Sequence, residues 1–285
     1  MTVISVNRNL MLAIALAIGN FTVISNASDP VNVPECDIIR GSQWDGKRVG
    51  VLGDSMSDPR VKATSLRYYD YLQSLIGIEA HQYARNGYKF AELLPLAEKM
   101  YAEQGDSIDA IFIWCGTNDY NASKPIGDFH KEELQEVNVD GEIVVRKHRI
   151  PVMSDSTFCG SINLVISYLK DKFPEQQIVI FTPIHRGFAQ FGKSNVQPEE
   201  MYANGEGLYI DDYVDVLRRA GTLWSVPVID FFSISGLYPI IESQDRYVAD
   251  KATDRLHTND EGHYRLARVA QYQLLTLPST FKRQQ

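Results

Sequence analysis

The run Arg48-Val49-Gly50-Val51-Leu52, followed at once by Gly53-Asp54-Ser55-Met56-Ser57-Asp58, decides how the rest of the chain is read. A short apolar run closed by glycine reads as a buried strand. Behind the polar turn, residues 63–76 are helix-like, with Leu66, Tyr69, Leu72 and Leu75 recurring at near-helical intervals. A buried strand, a tight polar turn and a helix make the opening of a β–α unit.

Outward from that unit the alternation continues. Residues 81–84 are a short second strand, and 90–104 a helix that tolerates Pro95 near its first turn and is closed by Gly105. Residues 110–115 (AIFIWC) are a third strand whose unbroken apolarity predicts burial on both faces, with Trp114 in the core. A helix over 161–173 stops before Pro174. After it come a fourth strand at 177–182, a helix at 208–224, a fifth strand at 226–231 and a last helix at 261–275. Two stretches break the rhythm. Residues 120–158 read as an insertion, a lid or rim, in which Asp140-Gly141 between β-prone residues predicts a hairpin over 136–150. Residues 184–207 are irregular and carry aromatic side chains. The pattern predicts an α/β fold, a parallel sheet covered by helices on both faces, with its site beyond the carboxyl ends of the strands.

The chain has 285 residues, 44% apolar and 22% charged, with a net charge of −8. Such a composition suits a folded domain, and an acidic balance offers no footprint for nucleic acid or anionic membranes. Neutral substrates are expected. Residues 1–27 read as a secretory signal peptide: Arg8, an apolar run over 10–19 and a small-residue ending at Ser25-Asn26-Ala27. The run is short for a bilayer span and is interrupted by Gly19 and Asn20; a retained membrane anchor is the alternative. Export to periplasm or medium without stable membrane insertion is the expectation, with residues 28–46 a polar leader and 47–285 the functional domain. Cleavage after Ala27 leaves 27 basic and 36 acidic residues, a net charge of −9. Of the three cysteines, Cys115 reads as buried, while Cys36 and Cys159 are candidates for a disulfide in an oxidising compartment. No Cys–His cluster has metal-ligand spacing.

Four polar blocks follow the strands. Ser55 in Gly53-Asp54-Ser55-Met56 sits on a strand-to-helix turn surrounded by backbone N–H groups, or is an ordinary helix cap. Gly87 in Arg85-Asn86-Gly87-Tyr88 allows close backbone approach, or marks a plain Asn-Gly turn. Asn118 in Gly116-Thr117-Asn118-Asp119 carries an amide donor suited to a developing oxyanion, or is an Asx-turn. In Asp254-Arg255-Leu256-His257 a carboxylate can reach the Nδ1–H of the imidazole and leave Nε2 to take a serine proton; a surface ion pair is the alternative. His263, six residues on, reads as structural.

With these blocks in this order, the chain resembles the SGNH (GDSL-like) hydrolase family from about residue 47 to 273. Ser55 matches its serine, Gly87 its glycine, Asn118 its asparagine and His257 its histidine. Met56 stands where leucine is common, and the glycine block lacks the second glycine of many relatives. The resemblance implies a flavodoxin-like three-layer α/β/α fold with five parallel strands in the order 2-1-3-4-5. It implies ester hydrolysis through an acyl-enzyme, without metal or cofactor. Ser55 would be the nucleophile, His257 the general base and Asp254 its orienting partner, with the N–H groups of Ser55 and Gly87 and the Asn118 amide as oxyanion hole.

For substrate, O-deacetylation of carbohydrate is the leading expectation, on a small-molecule or polysaccharide ester. Asp54, Tyr88, Asp119, Tyr120, His185 and Arg186 are candidate substrate-binding residues, and Phe129, Phe188 and Phe191 also lie in or near the motif loops. A lipid, short-chain acyl or thioester hydrolase is the alternative within the same chemistry. A non-catalytic carbohydrate-binding protein on the same fold is the alternative of another class.

Overall fold

A computed structural model of the chain describes residues 31–277; the expected signal peptide lies outside the described residues. In chain order the elements are β1 (Arg48–Gly53), α1 (Tyr68–Ile76), β2 (Glu79–Gln82), α2 (Leu93–Gln104), β3 (Ala110–Trp114) and α3 (Thr117–Asn121). Next come β4 (His130–Val139), β5 (Glu142–Pro151), α4 (Phe158–Lys172), β6 (Gln177–Phe181), β7 (Ala189–Gln190) and β8 (Val196–Gln197). The chain continues through α5 (Ile210–Trp224), β9 (Val228–Ile229), α6 (Phe231–Ile234), β10 (Val248–Asp250), β11 (Asp254–Thr258) and α7 (Asp260–Thr276).

Strands β2-β1-β3-β6-β9 form one sheet in that order, every pair parallel, which is 2-1-3-4-5 when the parallel strands are counted along the chain. The unbroken apolar strands are explained by burial on both faces. Alternate residues of β3 and β6 go to opposite sides: Phe112, Trp114, Val179 and Phe181 meet α1 and α7, whereas Ile111, Ile113, Ile178 and Ile180 meet α2, α4 and α5. Trp114 is core, edge-on to Tyr68 and Phe231 at 5.1 and 5.2 Å between ring centres.

Helix ends differ from the periodicity for local reasons. α1 begins at Tyr68, not at 63, because other partners take the backbone of 61–66. The Asp260 carboxylate accepts from the N–H groups of Ser65 (2.8 Å) and Leu66 (3.1 Å) and from the Thr64 hydroxyl. The buried Arg67 guanidinium donates to the carbonyls of Asp58 (3.1 Å), Thr64 (3.0 Å) and Val61. α4 begins three residues earlier than its pattern suggested, capped by Thr157, whose hydroxyl accepts from Gly160 N–H at 3.2 Å.

The leader, from residue 31, packs against the domain it precedes. Trp44 is fully buried and its indole N–H donates to the Leu274 carbonyl at 2.9 Å, while Asp37 pairs with Arg268 at 2.9 Å. The Cys36–Cys159 pairing that the sequence left open is not made: Cys36 is exposed, Cys159 is buried on the inner side of α4, and both are free thiols. Burial pushes the Cys159 thiol up to about 11, so it is a small apolar side chain here rather than a nucleophile.

Two features sit outside the parallel sheet. The expected hairpin is real but longer, an antiparallel ribbon of β4 and β5 paired from His130↔Pro151 to Val139↔Glu142. A second antiparallel sheet, β10-β11-β7-β8, takes β7 and β8 from the stretch that reads as irregular and β10 and β11 from residues 248–258, for which the sequence predicts no element. It stands over the carboxyl edge of the parallel sheet.

Candidate active site

Ser55 follows β1 on a turn that its neighbours hold. The Asp54 carbonyl accepts from the N–H groups of Ser57 (3.1 Å) and Asp58 (3.0 Å), and the Asp54 carboxylate from Met56 N–H (3.1 Å). Gly53 is required there, since a Cβ would lie 2.7 Å from the Trp114 carbonyl oxygen of the adjacent strand. Asp58 then ties this turn to the next block. Its carboxylate accepts from Asn86 N–H at 2.8 Å and from the Arg60 guanidinium at 2.7 and 2.9 Å. Burial works against its charge, but these donors outweigh it and hold the carboxyl below its ordinary value.

Gly87 has φ +79°, the left-handed region that favours glycine. Among the described residues neither its N–H nor that of Ser55 donates to a protein acceptor. Asn118, in α3 behind β3, donates its side-chain amide to the Tyr88 carbonyl at 3.0 Å and lies 3.5 Å from the Asp54 carboxylate.

Asp254 and His257 come from β11. Residues three apart on a regular strand point to opposite faces. Here Val248 faces Thr258 while Asp250 faces Asp254, so three residues of β11 stand opposite one of β10, and the bulge turns both side chains the same way. The Asp254 carboxylate accepts from His257 N–H at 3.0 Å and meets the imidazole Nδ1 at 2.8 Å. Nε2 of His257 lies 2.9 Å from Ser55 Oγ. Serine, imidazole and carboxylate thus form one hydrogen-bonded line, buried except toward a cavity.

The cavity measures 750 Å³ and is lined by Ser55, Gly87, Asn118, Asp254 and His257, all expected at the site. Sequence reasoning did not place the rest of its wall: Arg60, Val61, Lys62, Ala63, Asn86, Gln190, Asn195, Gln197, Ala249, Asp250, Thr253 and Leu256. Phe191, one of the expected motif-loop aromatics, does line the cavity; it is 45% exposed, with its ring 5.4 Å from that of His257. The side-chain amides of the wall carry no signal in the sequence.

None of the six expected substrate-binding residues lines the cavity. Asp54 and Asp119 lie buried beneath the catalytic loops, and burial raises each carboxyl to about 7. Asp119 accepts from Phe90 N–H at 2.9 Å, and the buried Tyr120 hydroxyl donates to the Tyr202 carbonyl at 2.6 Å. Tyr88 contributes its carbonyl to Asn118 rather than its ring to the cavity. His185 Nδ1 meets Glu200 at 2.5 Å with its ring against Phe232. Arg186, fully buried, donates to Gln197 (3.0 Å) and to Asn121, so it holds the cavity wall from behind. Phe129, another motif-loop aromatic, is also core. Proximity to a motif loop in sequence did not distinguish side chains that face the cavity from those that support it.

Among the described residues no helix is long and apolar enough to cross a membrane. The model of the GDSL-like Lipase/Acylhydrolase family matches residues 51–265. A solved protein from Lactobacillus plantarum is similar at 23% identity, with a TM-score of 0.63 over 81% of this chain and 97% of that one. A possible lipase from Chitinophaga pinensis is similar at 18% identity, with a TM-score of 0.58 over 80% and 99% of the two chains. At these identities the likeness establishes the fold. Among curated proteins none matches. The family match spans the serine turn, the asparagine block and the bulged strand alike: the chain belongs to the GDSL-like Lipase/Acylhydrolase family and is a carboxylic ester hydrolase.

Proposed function

We propose that the protein is a serine esterase whose nucleophile is Ser55, and that it removes acetyl groups from carbohydrate outside the cytoplasm. The observation that carries the chemistry is the unbroken line from Ser55 Oγ through His257 to Asp254, 2.9 and 2.8 Å long, opening on the cavity. Ser55 Oγ attacks the ester carbonyl and its proton passes to His257 Nε2. Asp254 keeps the other imidazole proton on Nδ1 and stabilises the imidazolium. The N–H groups of Ser55 and Gly87 and the Asn118 amide hold the oxyanion. Collapse expels the alcohol, which takes the proton from Nε2; water then repeats the cycle on the acyl-enzyme.

The substrate reading rests on the cavity's chemistry. Side-chain amides of Asn86, Gln190, Asn195 and Gln197, the Thr253 hydroxyl and charged groups suit a polyol, and Phe191 offers one exposed ring for a sugar face. A long acyl chain would need a broad apolar wall, and the apolar lining here is limited to Val61, Ala63, Phe191, Ala249 and Leu256 among polar neighbours. Export rests on the signal-like residues 1–27, and mass analysis of protein from the medium or periplasm should find a chain beginning at Ser28.

The test measures acetate release from acetylated xylan, pectin and other glycans beside short- and long-chain p-nitrophenyl esters. Ser55→Ala should abolish every activity. A preference for long acyl chains would overturn the carbohydrate reading, and full activity in Ser55→Ala would overturn the nucleophile.

A further inference from the structure

The dipeptide Asn-Gly occurs twice in the chain, at Asn86-Gly87 on the cavity and at Asn204-Gly205 in the loop before α5. Such a pair is prone to rearrange, because glycine has no side chain to keep its backbone nitrogen away from the asparagine Cγ. Two things protect it in a fold: hydrogen bonds that hold the side-chain amide, and an acceptor that holds the glycine N–H.

Asn204-Gly205 has both. Asn204 Nδ2 donates to the Tyr120 carbonyl and to Tyr213 Oη, each at 3.0 Å, and its Oδ1 accepts from the N–H groups of Glu206 (3.0 Å) and Leu208 (3.1 Å). Gly205 N–H donates to Ser123 Oγ at 2.8 Å. Asn86-Gly87 has neither. Both residues are exposed, and among the described residues the Asn86 side chain has no hydrogen-bond partner and Gly87 N–H no acceptor. A Cβ placed on Gly87 would meet nothing within 4 Å, so the space for ring closure is open. An oxyanion donor has to keep its N–H free for the substrate, and the same freedom leaves it reactive.

We propose that Asn86 is a site of spontaneous deamidation whose conversion inactivates the enzyme; the inactivation rests on the reading of Gly87 as an oxyanion donor. Hydroxide takes the Gly87 N–H proton, the nitrogen bonds to Asn86 Cγ, and the side-chain nitrogen leaves as ammonia, giving a succinimide. Water then opens the ring at either carbonyl. Breaking the Cγ–N bond leaves aspartate with the main chain restored. Breaking the bond from that nitrogen to the main-chain carbonyl carbon leaves isoaspartate, with Cβ and Cγ now in the main chain.

Isoaspartate lengthens the chain by one carbon, about 1.5 Å, between two fixed points. Asn86 N–H is held by Asp58 at 2.8 Å, and the Tyr88 carbonyl by Asn118 at 3.0 Å. The added length is taken up at Gly87, and a misplacement of about 1 Å in such a group costs roughly 10²-fold. Aspartate instead sets a carboxylate on the cavity wall beside the donor, where its charge opposes the forming oxyanion.

The test holds the wild-type enzyme in mildly alkaline buffer and follows the same aliquots by peptide mass mapping and by turnover of p-nitrophenyl acetate. Asn86 should convert at least about tenfold faster than Asn204. Activity should fall in step with that conversion, the converted enzyme having lost at least about 10²-fold in kcat. Asn86→Gln, which would need a larger ring that closes more slowly, should keep its own starting activity over the same time. An Asn86 that stays intact, or converts no faster than Asn204, overturns the proposal whatever the protein hydrolyses. So does loss of activity at the same rate in the wild type and Asn86→Gln. Conversion with activity unchanged overturns the inactivation and removes Gly87 from the oxyanion hole. Fresh enzyme inert toward esters would overturn the esterase reading instead, and the mass map would still decide the fate of Asn86.

Discussion

Replacing Asp254 by asparagine should disable the enzyme while leaving its fold almost untouched. In the structure Oδ1 of Asp254 accepts from Leu256 N–H (3.3 Å) and His257 N–H (3.0 Å), and Oδ2 faces His257 Nδ1 at 2.8 Å. An asparagine has one oxygen for these two duties. If the oxygen stays with the backbone, the amide NH₂ faces Nδ1 and the imidazole must carry its proton on Nε2. If the amide flips, its NH₂ confronts two backbone donors, leaving them unsatisfied at about 1–3 kcal/mol each. The first orientation wins by a few kcal/mol, so His257 donates to Ser55 Oγ across the 2.9 Å contact instead of accepting its proton. A triad with that tautomer loses roughly 10⁴-fold in kcat, about 5.5 kcal/mol in the barrier. Stability should fall by less than about 1 kcal/mol for asparagine, because both backbone hydrogen bonds remain, but by about 2 kcal/mol for alanine, which loses them. Steady-state hydrolysis of p-nitrophenyl acetate, with urea unfolding of the same samples, checks both numbers. Retention of more than about a tenth of kcat by a folded Asp254→Asn protein would refute the reasoning and require another group to orient His257.

Asn118→Ala removes the side-chain oxyanion donor and should lower kcat by roughly 10²–10³ with KM near wild type; a change in KM alone would mean that the amide binds the ground state. Burial raises the Asp119 carboxyl to about 7 from 3.8, so the stability it permits is present at low pH and lost as pH rises through about 7. Urea unfolding at pH 5 and pH 8 should therefore show Asp119→Asn losing less stability with rising pH than the wild type; parallel losses would refute this. Asp260→Ala releases the 64–66 loop from the start of α7 and should cost about 2–4 kcal/mol in stability and at least about tenfold in kcat, by loosening the contact between Ser55 and His257. Unimpaired kcat in a folded Asp260→Ala protein would show that the clamp does not position the histidine.

The central strands were legible because both faces are buried: 110–114 and 177–181 contain no polar residue that would allow another reading, save Gln177 at a strand end. Ser55 and Asn118 were legible because each lies just past such a strand, so finding the strand finds the residue; Gly87, past the polar, part-exposed β2, was legible only through its Asn-Gly block. The second sheet was not. Its strands β7 and β8 are two residues long and β10 three, too short for any period to show, and backbone pairing between distant segments makes them. The first half of the β4–β5 hairpin hid for a different reason. His130-Lys131-Glu132-Glu133 has no β preference, and only its register against 148–151 makes it strand. The six substrate-binding expectations share one cause, since nearness to a motif along the chain does not say which way a side chain points.

The relay joins two independently built structures. Ser55 and its oxyanion donors belong to the carboxyl edge of the parallel sheet, where the strand-to-helix turns set their places. Asp254 and His257 belong to the antiparallel sheet, where a bulge sets theirs. A 2.9 Å contact between two such bodies needs ties on both sides of it. Asp58 supplies one within the parallel sheet, fastening the serine turn to the glycine loop through Asn86 N–H. Asp260 supplies the other, fastening the helix behind His257 to the loop behind Ser55 through Ser65 and Leu66 N–H. Neither carboxylate touches the cavity, and neither belongs to the chemistry. Their buried or half-buried charges are tolerated because each is surrounded by donors, Asp58 by Arg60 and Asn86, Asp260 by Thr64, Ser65 and Leu66. On the proposed mechanism the chain therefore carries two kinds of acid, one that orients the base and others that tie the base within reach of the nucleophile, and the Asp260→Ala measurement distinguishes the two.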